Sequence, residues 1–448
     1  MGHAELIPNI GKLGILRDAA RGADGAARQH ASPRNYTKAE FPLPTIESFD
    51  VTSPAFKRAP YEILAELRRN SPIAKIALPG EQSGWLVTRY GDVDALFRDS
   101  RVTSNPADVY PPEVIAAVFP HGEFSAALLQ SMIFTNDTSD HTRLRKLVSV
   151  SFTPRFIETW QPRIQQIIDE LVDRLPEHGE IDFVREIAFP LPMRVLSEMI
   201  GVPTADLEKF RTWSNLYVDS MGNPAAALAI KGEMQSFLHY LHELIEAKQN
   251  APTHDLLGQL IQVELEGDRL SRQELIGMAQ LLILAGNETT ATLLSSAMLT
   301  FFQHPDQAQA VKDDPALLKH AIEEIIRYKS PLMNANDRWV LEDFEFQGQR
   351  LRKGDQIYLC VTSANRDEER FSNAAAFDIR REDNQRHLGF GRGMHYCLGA
   401  PLARLIATVA LGTLLRRLPD IELGTDMGEL TWRPGITSNT LDTLPVHY

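Results

Sequence analysis

The chain has 448 residues, 43% of them hydrophobic and 23% charged, enough to bury a large core without disulfide or metal staples. Its 46 basic and 59 acidic residues leave a net charge of −13, which argues against general nucleic-acid binding. Only two cysteines occur, Cys360 and Cys397, so a disulfide framework is excluded and a reducing compartment is the default.

Residues 1–40 are rich in Gly, Ala, Arg and Asn and read as a weakly ordered leader, in which Ile7 to Ala20 could form a short helix. Residues 41–448 read as one domain. No apolar segment resembles a secretory signal, and no run reaches the roughly 18 apolar residues that span a bilayer. The expectation is a cytoplasmic protein with no membrane insertion. Tyr61 to Arg69 has the spacing of an amphipathic helix. Gly84 to Tyr90 reads as a strand and Val93 to Phe97 as a helix. Residues 100–125 hold prolines without a period and read as a long mobile loop. Residues 141–175 and 204–250 carry helix-spaced apolar positions.

Ser271 and Glu274 form a capping box, each side chain satisfying a free backbone donor. The helix they open should run to about Gln303, where His304-Pro305 stops it, a length of about 48 Å. It is apolar almost all round, which predicts a passage through the core. Asp314-Pro315 starts a second helix, carrying Glu324 and Arg327 and ending before Ser330-Pro331. Asp343 to Arg350 reads as a strand pair about Gln347-Gly348. A turn at Lys353–Asp355 leads to a strand from Gln356 to Val361, where Cys360 is a packing residue. The fold class is mainly α with minor β.

The strongest chemical signal is the segment Phe390-Gly-Arg-Gly-Met-His-Tyr-Cys-Leu-Gly399, before a helix from about Ala400 to Leu418. Its glycines allow positive φ, and Cys397 sits where helix N–H groups and the dipole favour a thiolate. One cysteine cannot hold zinc or an iron–sulfur cluster, but one thiolate suffices as an axial ligand of haem iron. The second signal is Ala285-Gly-Asn-Glu-Thr-Thr290 inside the long helix. Glycine costs about 1 kcal/mol in a helix interior, and a buried Glu288 needs partners. Local rule-breaking of this kind marks a functional site. Glu324 and Arg327 share one helix face and can pair, as can the basic His141 and Arg145 of Asp140-His-Thr-Arg-Leu-Arg145.

These segments resemble the cytochrome P450 monooxygenases. The cysteine loop fills every fixed position of the family pattern F-G-x-G-x-H-x-C-x-G, with Phe390, Gly391, Gly393, His395, Cys397 and Gly399. The likeness runs from about Pro60 to the C-terminus. It implies the triangular, mainly α fold of the family, with haem b (iron protoporphyrin IX) between the long helix and the cysteine loop. It implies that Cys397 ligates the iron, that Ala285, Phe390, Gly391 and Gly399 line the cofactor, and that His141, Arg145, Arg338 and His395 contact its propionates. Glu288 and Thr289 resemble the acid–alcohol pair that relays protons to dioxygen, Thr289 donating a hydrogen bond. Glu324 and Arg327 resemble the structural E-x-x-R pair.

The implied reaction inserts one atom of O2 into an apolar small molecule, by hydroxylation or epoxidation. No nucleotide-binding βαβ unit is present, because Met394 and Tyr396 break the glycine spacing. Electrons should therefore come from a separate ferredoxin or flavodoxin with its NAD(P)H-dependent reductase. The docking face would lie around Arg143, Lys146 and Arg392. The family positions that line the substrate pocket include Leu282, Leu332, Met333, Asn334, Ile436 and Thr437. Such a lining suits a terpenoid, steroid, fatty acid, polyketide or peptide natural product of secondary metabolism. Oxidative coupling and a non-catalytic haem sensor are the rival outcomes, and the expected state is a monomer.

Overall fold

The computed structural model describes residues 50–78, 82–112, 114–115, 139–220, 224–335 and 337–448. The leader and its helix from Ile7 to Ala20 lie outside the described residues, as does Asn336. The elements used below are, in chain order, α1 (Pro54–Arg58), α2 (Tyr61–Asn70), β1 (Ile73–Leu78), β2 (Gln82–Val87), α3 (Tyr90–Leu96), β3 (Val102–Thr103), α4 (Ser139–Ser151), α5 (Gln161–Asp173), β4 (Glu180–Asp182), α6 (Pro190–Ile200), α7 (Leu207–Ser220), α8 (Lys231–Asn250), α9 (Leu256–Gln262), β5 (Glu264–Leu265), β6 (Asp268–Arg269), α10 (Arg272–Gln303), α11 (Leu318–Tyr328), β7 (Arg338–Val340), β8 (Phe344–Phe346), β9 (Gln349–Leu351), β10 (Gln356–Leu359), α12 (Ala400–Arg417), β11 (Glu422–Leu423) and β12 (Pro445–His447).

Helices make most of the main core, which β12 joins through Val446, while the five-stranded sheet packs in two smaller clusters. Five strands form one sheet in the order β1-β2-β10-β7-β3, antiparallel except where β10 runs parallel to β2. A second sheet has the order β11-β12-β4 and ties the C-terminus back to mid-chain. The β8–β9 hairpin turns at Gln347 and Gly348, with φ of 51° and 77°, the left-handed pair that a two-residue turn requires.

The long helix α10 starts at the expected capping box and ends at His304 after 32 residues. It packs against α6, α8, α11 and α12. In its middle turns one stripe is open while the rest is buried: Leu281, Leu282, Ala285, Gly286, Glu288 and Thr289. These positions recur at helical spacing, so they share one face. Gly286 is also a point of close approach. A Cβ there would lie 2.8 Å from Cδ1 of Leu196, so the glycine lets α6 close onto α10.

Four local expectations are corrected. The strand expected to reach Tyr90 ends at Val87. Asp367 accepts the Tyr90 N–H at 2.8 Å and starts α3 there. The segment expected to be loop throughout residues 100–125 holds β3, paired with β7, and a 3₁₀ turn at Pro106–Asp108 capped by Asn105. The Asp314 cap opens a 3₁₀ turn at Pro315–Leu317 before α11 proper. Strand β10 ends at Leu359, leaving Cys360 just past it, fully buried as expected. Among the described residues no helix is long and apolar enough to cross a membrane.

Candidate active site

The cysteine loop is shaped by its glycines. Gly391 and Gly393 have φ of 71° and 69°, where an L side chain is strained. Between them the chain doubles back, so that the Cys397 N–H donates to the Phe390 carbonyl at 2.9 Å. Cys397 then sits three residues before α12, the helix that packs against α10. Burial pushes the Cys397 thiol up, while the N–H groups of Gly399 and Ala400 and the charge of Arg145 pull it back. Desolvation outweighs the helix terminus, so the thiolate that the loop favours needs a further partner. Coordination to a Lewis acid would draw off that proton.

Basic side chains gather around the loop. The His141 and His395 rings meet edge to face at 4.6 Å. Ser104, just past β3, lies 3.2 Å from Nε2 of His395. Arg145 stands one turn beyond His141 on α4 and has no carboxylate partner among the described residues. Burial pushes its guanidinium down. The Arg338 guanidinium lies 6.0 Å from the Phe97 ring, and Phe97 in turn abuts Gly391. His141 and Arg145 thus come from α4, Arg338 from β7 and His395 from the loop itself.

On the open stripe of α10, Glu288 Oε1 accepts from Ser438 Oγ at 3.0 Å and from Thr440 Oγ1 at 2.9 Å. Thr289 donates to the Ala285 carbonyl at 2.8 Å, Thr290 to Gly286 and Thr292 to Glu288. Back-bonds of this kind slightly destabilise a helix and often bend it. In this arrangement Thr289 has already spent its donor on Ala285. Its oxygen is left as an acceptor, not the donor that the resemblance implied.

Glu324 and Arg327 form no exposed pair. Both are fully buried and bidentate, at 2.8 and 2.7 Å. Arg381 joins them at 3.1 Å, a partner that no sequence pattern announced. Beside this trio stands a second one. Glu323 takes two bonds from Arg404, at 2.6 and 2.7 Å, and one from His387 at 3.1 Å. Gly389 donates to Nδ1 of His387, which leaves Nε2 to donate to Glu323. Arg404 also stacks on Phe390, at 4.4 Å from the ring centre, so this trio braces the start of the cysteine loop.

Despite its burial, those bonds hold the Glu323 carboxyl down at about 2 against an ordinary 4.5. A carboxyl depressed in the fold contributes stability above its unfolded value and loses it as pH falls toward the folded one. Stability, followed by the melting temperature, should therefore fall between about pH 4.5 and pH 2, by at most roughly 3 kcal/mol. Glu323→Gln should flatten that part of the profile. An unchanged acid limb in the variant would remove Glu323 as its source.

Other sequence-predicted residues land differently. Met333 and Asn334 are 1% exposed. Met333 packs with Phe56 and Tyr358 in a satellite core, and Asn334 donates to the Ile436 carbonyl at 2.5 Å, so neither lines an open pocket. Leu282, Leu332, Ile436 and Thr437 stay partly open. The cations expected on a docking face are engaged within the chain. Arg143 pairs with Asp140, Asp268 and Glu274, Lys146 with Glu266, and Arg392 with Asp94. The sequence counted their charges but not the carboxylates folded against them.

Among the described residues no three His, Cys, Asp or Glu side chains group to hold a metal ion. A lone thiol at a helix entrance, ringed by four basic side chains, fits a metal that brings its other ligands in an anionic ring. The Cytochrome P450 family model matches residues 215–421. The polyketide biosynthesis cytochrome P450 PksS of Bacillus subtilis is 37% identical over 395 residues, covering 87% of this chain and 96% of that protein. The cytochrome P450 monooxygenase PikC of Streptomyces venezuelae is 38% identical, over 88% of this chain and 92% of its own. Among solved structures, myxobacterial cytochrome P450 CYP267B1 in complex with myristic acid matches with a TM-score of 0.83 at 34% identity, over 89% and 98% of the two chains. The chain belongs to the cytochrome P450 family. This P450 is a haem enzyme, a monooxygenase that uses O2 and electrons from redox partners.

Proposed function

We propose that this P450 hydroxylates or epoxidises an apolar natural product of the polyketide class, with Cys397 as the iron ligand and Glu288 and Thr289 as the acid–alcohol pair. The observation that carries the reading is the open stripe on α10. It places an ionisable side chain, held by two hydroxyls, on a helix that packs against the cysteine-loop helix. When bound, the haem supplies the activation of dioxygen with two electrons and two protons, leaving one oxygen atom for the substrate and one for water.

The protein's own residues do the rest. Cys397 gives the iron its thiolate. His141, Arg145, Arg338 and His395 offset the propionate charges. Glu288 passes protons inward from solvent, and Thr289 offers its hydroxyl oxygen to the incoming proton donor while tied to Ala285. Leu282, Leu332, Ile436 and Thr437 supply a mostly apolar wall with a polar edge. The substrate class is supported by the name of PksS, and the fatty acid bound to CYP267B1 makes a long acyl chain the second candidate. Electrons are assigned to a ferredoxin or flavodoxin with its reductase.

The test is the absorption spectrum of the purified protein, reduced and exposed to carbon monoxide. A strongly red-shifted Soret band that Cys397→His abolishes is the expected result. A Soret band typical of histidine ligation in the unaltered protein would overturn the assignment of Cys397. Polyketides and fatty acids can then be compared by the spin-state shift each induces in the oxidised enzyme.

A further inference from the structure

Lys57 is a buried cation that nothing above uses. It lies on α1, is 3% exposed, and donates from Nζ to the carbonyls of Arg433 at 2.7 Å and Ser438 at 2.6 Å. Those carbonyls stand at the two ends of a loop in the C-terminal hairpin, which closes at the Trp432–Leu441 bridge. The same hairpin carries Ser438 and Thr440, the two hydroxyls on Glu288. Further bonds fix it from both sides. The Gly435 N–H donates to Thr52 at 3.0 Å, the Met333 N–H donates to Thr437 at 2.7 Å, and Leu332 bridges Ser438. Thr440 also meets Thr292 on α10 at 2.8 Å.

A lysine retained in such a place needs a reason, because burial disfavours the ammonium. Desolvation pushes Lys57 down to about 8, and the charges that work against it are Glu288 on α10 and Asp442 at the foot of the hairpin. An apolar side chain could fill the volume more cheaply. It could not span two carbonyls, nor set a positive charge within reach of Glu288.

We propose that Lys57 and Ser438 are positioning residues for Glu288: the ammonium locks the hairpin so that its hydroxyls hold the carboxylate in one orientation. The link runs from Lys57 through the Ser438 carbonyl to the Ser438 hydroxyl and on to Glu288 Oε1. This inference rests on the acid role proposed for Glu288.

The experiment uses the haem-loaded protein with a surrogate ferredoxin and reductase and no substrate. NADPH consumption and peroxide release are read in H2O and in D2O for the wild type, Glu288→Gln, Lys57→Met, Ser438→Ala and the Lys57→Met/Ser438→Ala double variant. Both single variants should change the solvent isotope effect and the peroxide fraction in the same sense as Glu288→Gln. Their rate losses should be smaller, about tenfold, as expected for a misplaced rather than a missing group. The double variant should be no worse than the worse single one, because both act through one chain. A wild-type isotope effect in both single variants, with Glu288→Gln altered, overturns the positioning role alone. A wild-type isotope effect in Glu288→Gln overturns the acid reading beneath it. If Lys57→Met does not load haem, Ser438→Ala carries the test, because it leaves the backbone acceptors of Lys57 intact.

Discussion

Glu324→Ala is expected to destabilise the protein by about 3–5 kcal/mol, because it strands two arginines in a dry interior. Glu324 accepts from Arg327, from Arg381 and from the Asp378 N–H. Arg327 also reaches the carbonyls of Asn365, Ala374 and Ala376, and Arg381 those of Ser372 and Asn373. One carboxylate thus pins the irregular stretch that leads to the cysteine loop. Against a total stability of about 5–15 kcal/mol, the loss is a large fraction. Chemical denaturation and the haem content of the purified variant would measure it. Arg327→Lys should also fail, since one ammonium cannot reproduce the guanidinium's fork of contacts. A variant at Glu324 that unfolds within about 1 kcal/mol of the wild type would show that the trio only breaks even with its desolvation.

Glu288→Gln should lower the rate of the coupled reaction by about a hundredfold, the lower end of what a positioned acid–base group contributes. The amide keeps an acceptor for Ser438 and Thr440, so the helix and hairpin should hold, and only the ionisable proton is lost. Substrate binding, read from the spin-state shift, should stay close to wild type. Thr289→Val should give a similar loss with a different partition, since it removes the hydroxyl that donates to the Ala285 carbonyl and whose oxygen is left to accept. Full activity in Glu288→Gln would assign proton delivery to another group.

The features legible in the sequence are those whose geometry closes within a few residues. The capping box of α10 needs only Ser271 and Glu274, and both its start and its end at His304 stand where the residues put them. The cysteine loop needs glycine wherever φ is positive, so its shape is written in ten consecutive positions. The Gln347-Gly348 turn is of the same kind. Even the pairing of Glu324 with Arg327 follows from helical spacing, although its complete burial does not.

What the sequence left open depends on parts of the chain far apart. Glu288 meets hydroxyls about 150 residues away, and nothing in the spacing of Ser438 or Thr440 marks them, since many side chains offer a hydroxyl. The dipeptide Glu323-Glu324 hints at two networks, but Arg381, His387 and Arg404 are chosen by how the loops pack. Arg143 and Lys146 look available until the β5–β6 hairpin brings Asp268 and Glu266 against them. Met333 and Asn334 look like pocket residues until the C-terminal hairpin covers them. A local motif fixes backbone angles and therefore restricts which residues can serve. A long-range contact asks only for a donor, an acceptor or a charge of the right size, and the packing of the whole chain decides which one arrives.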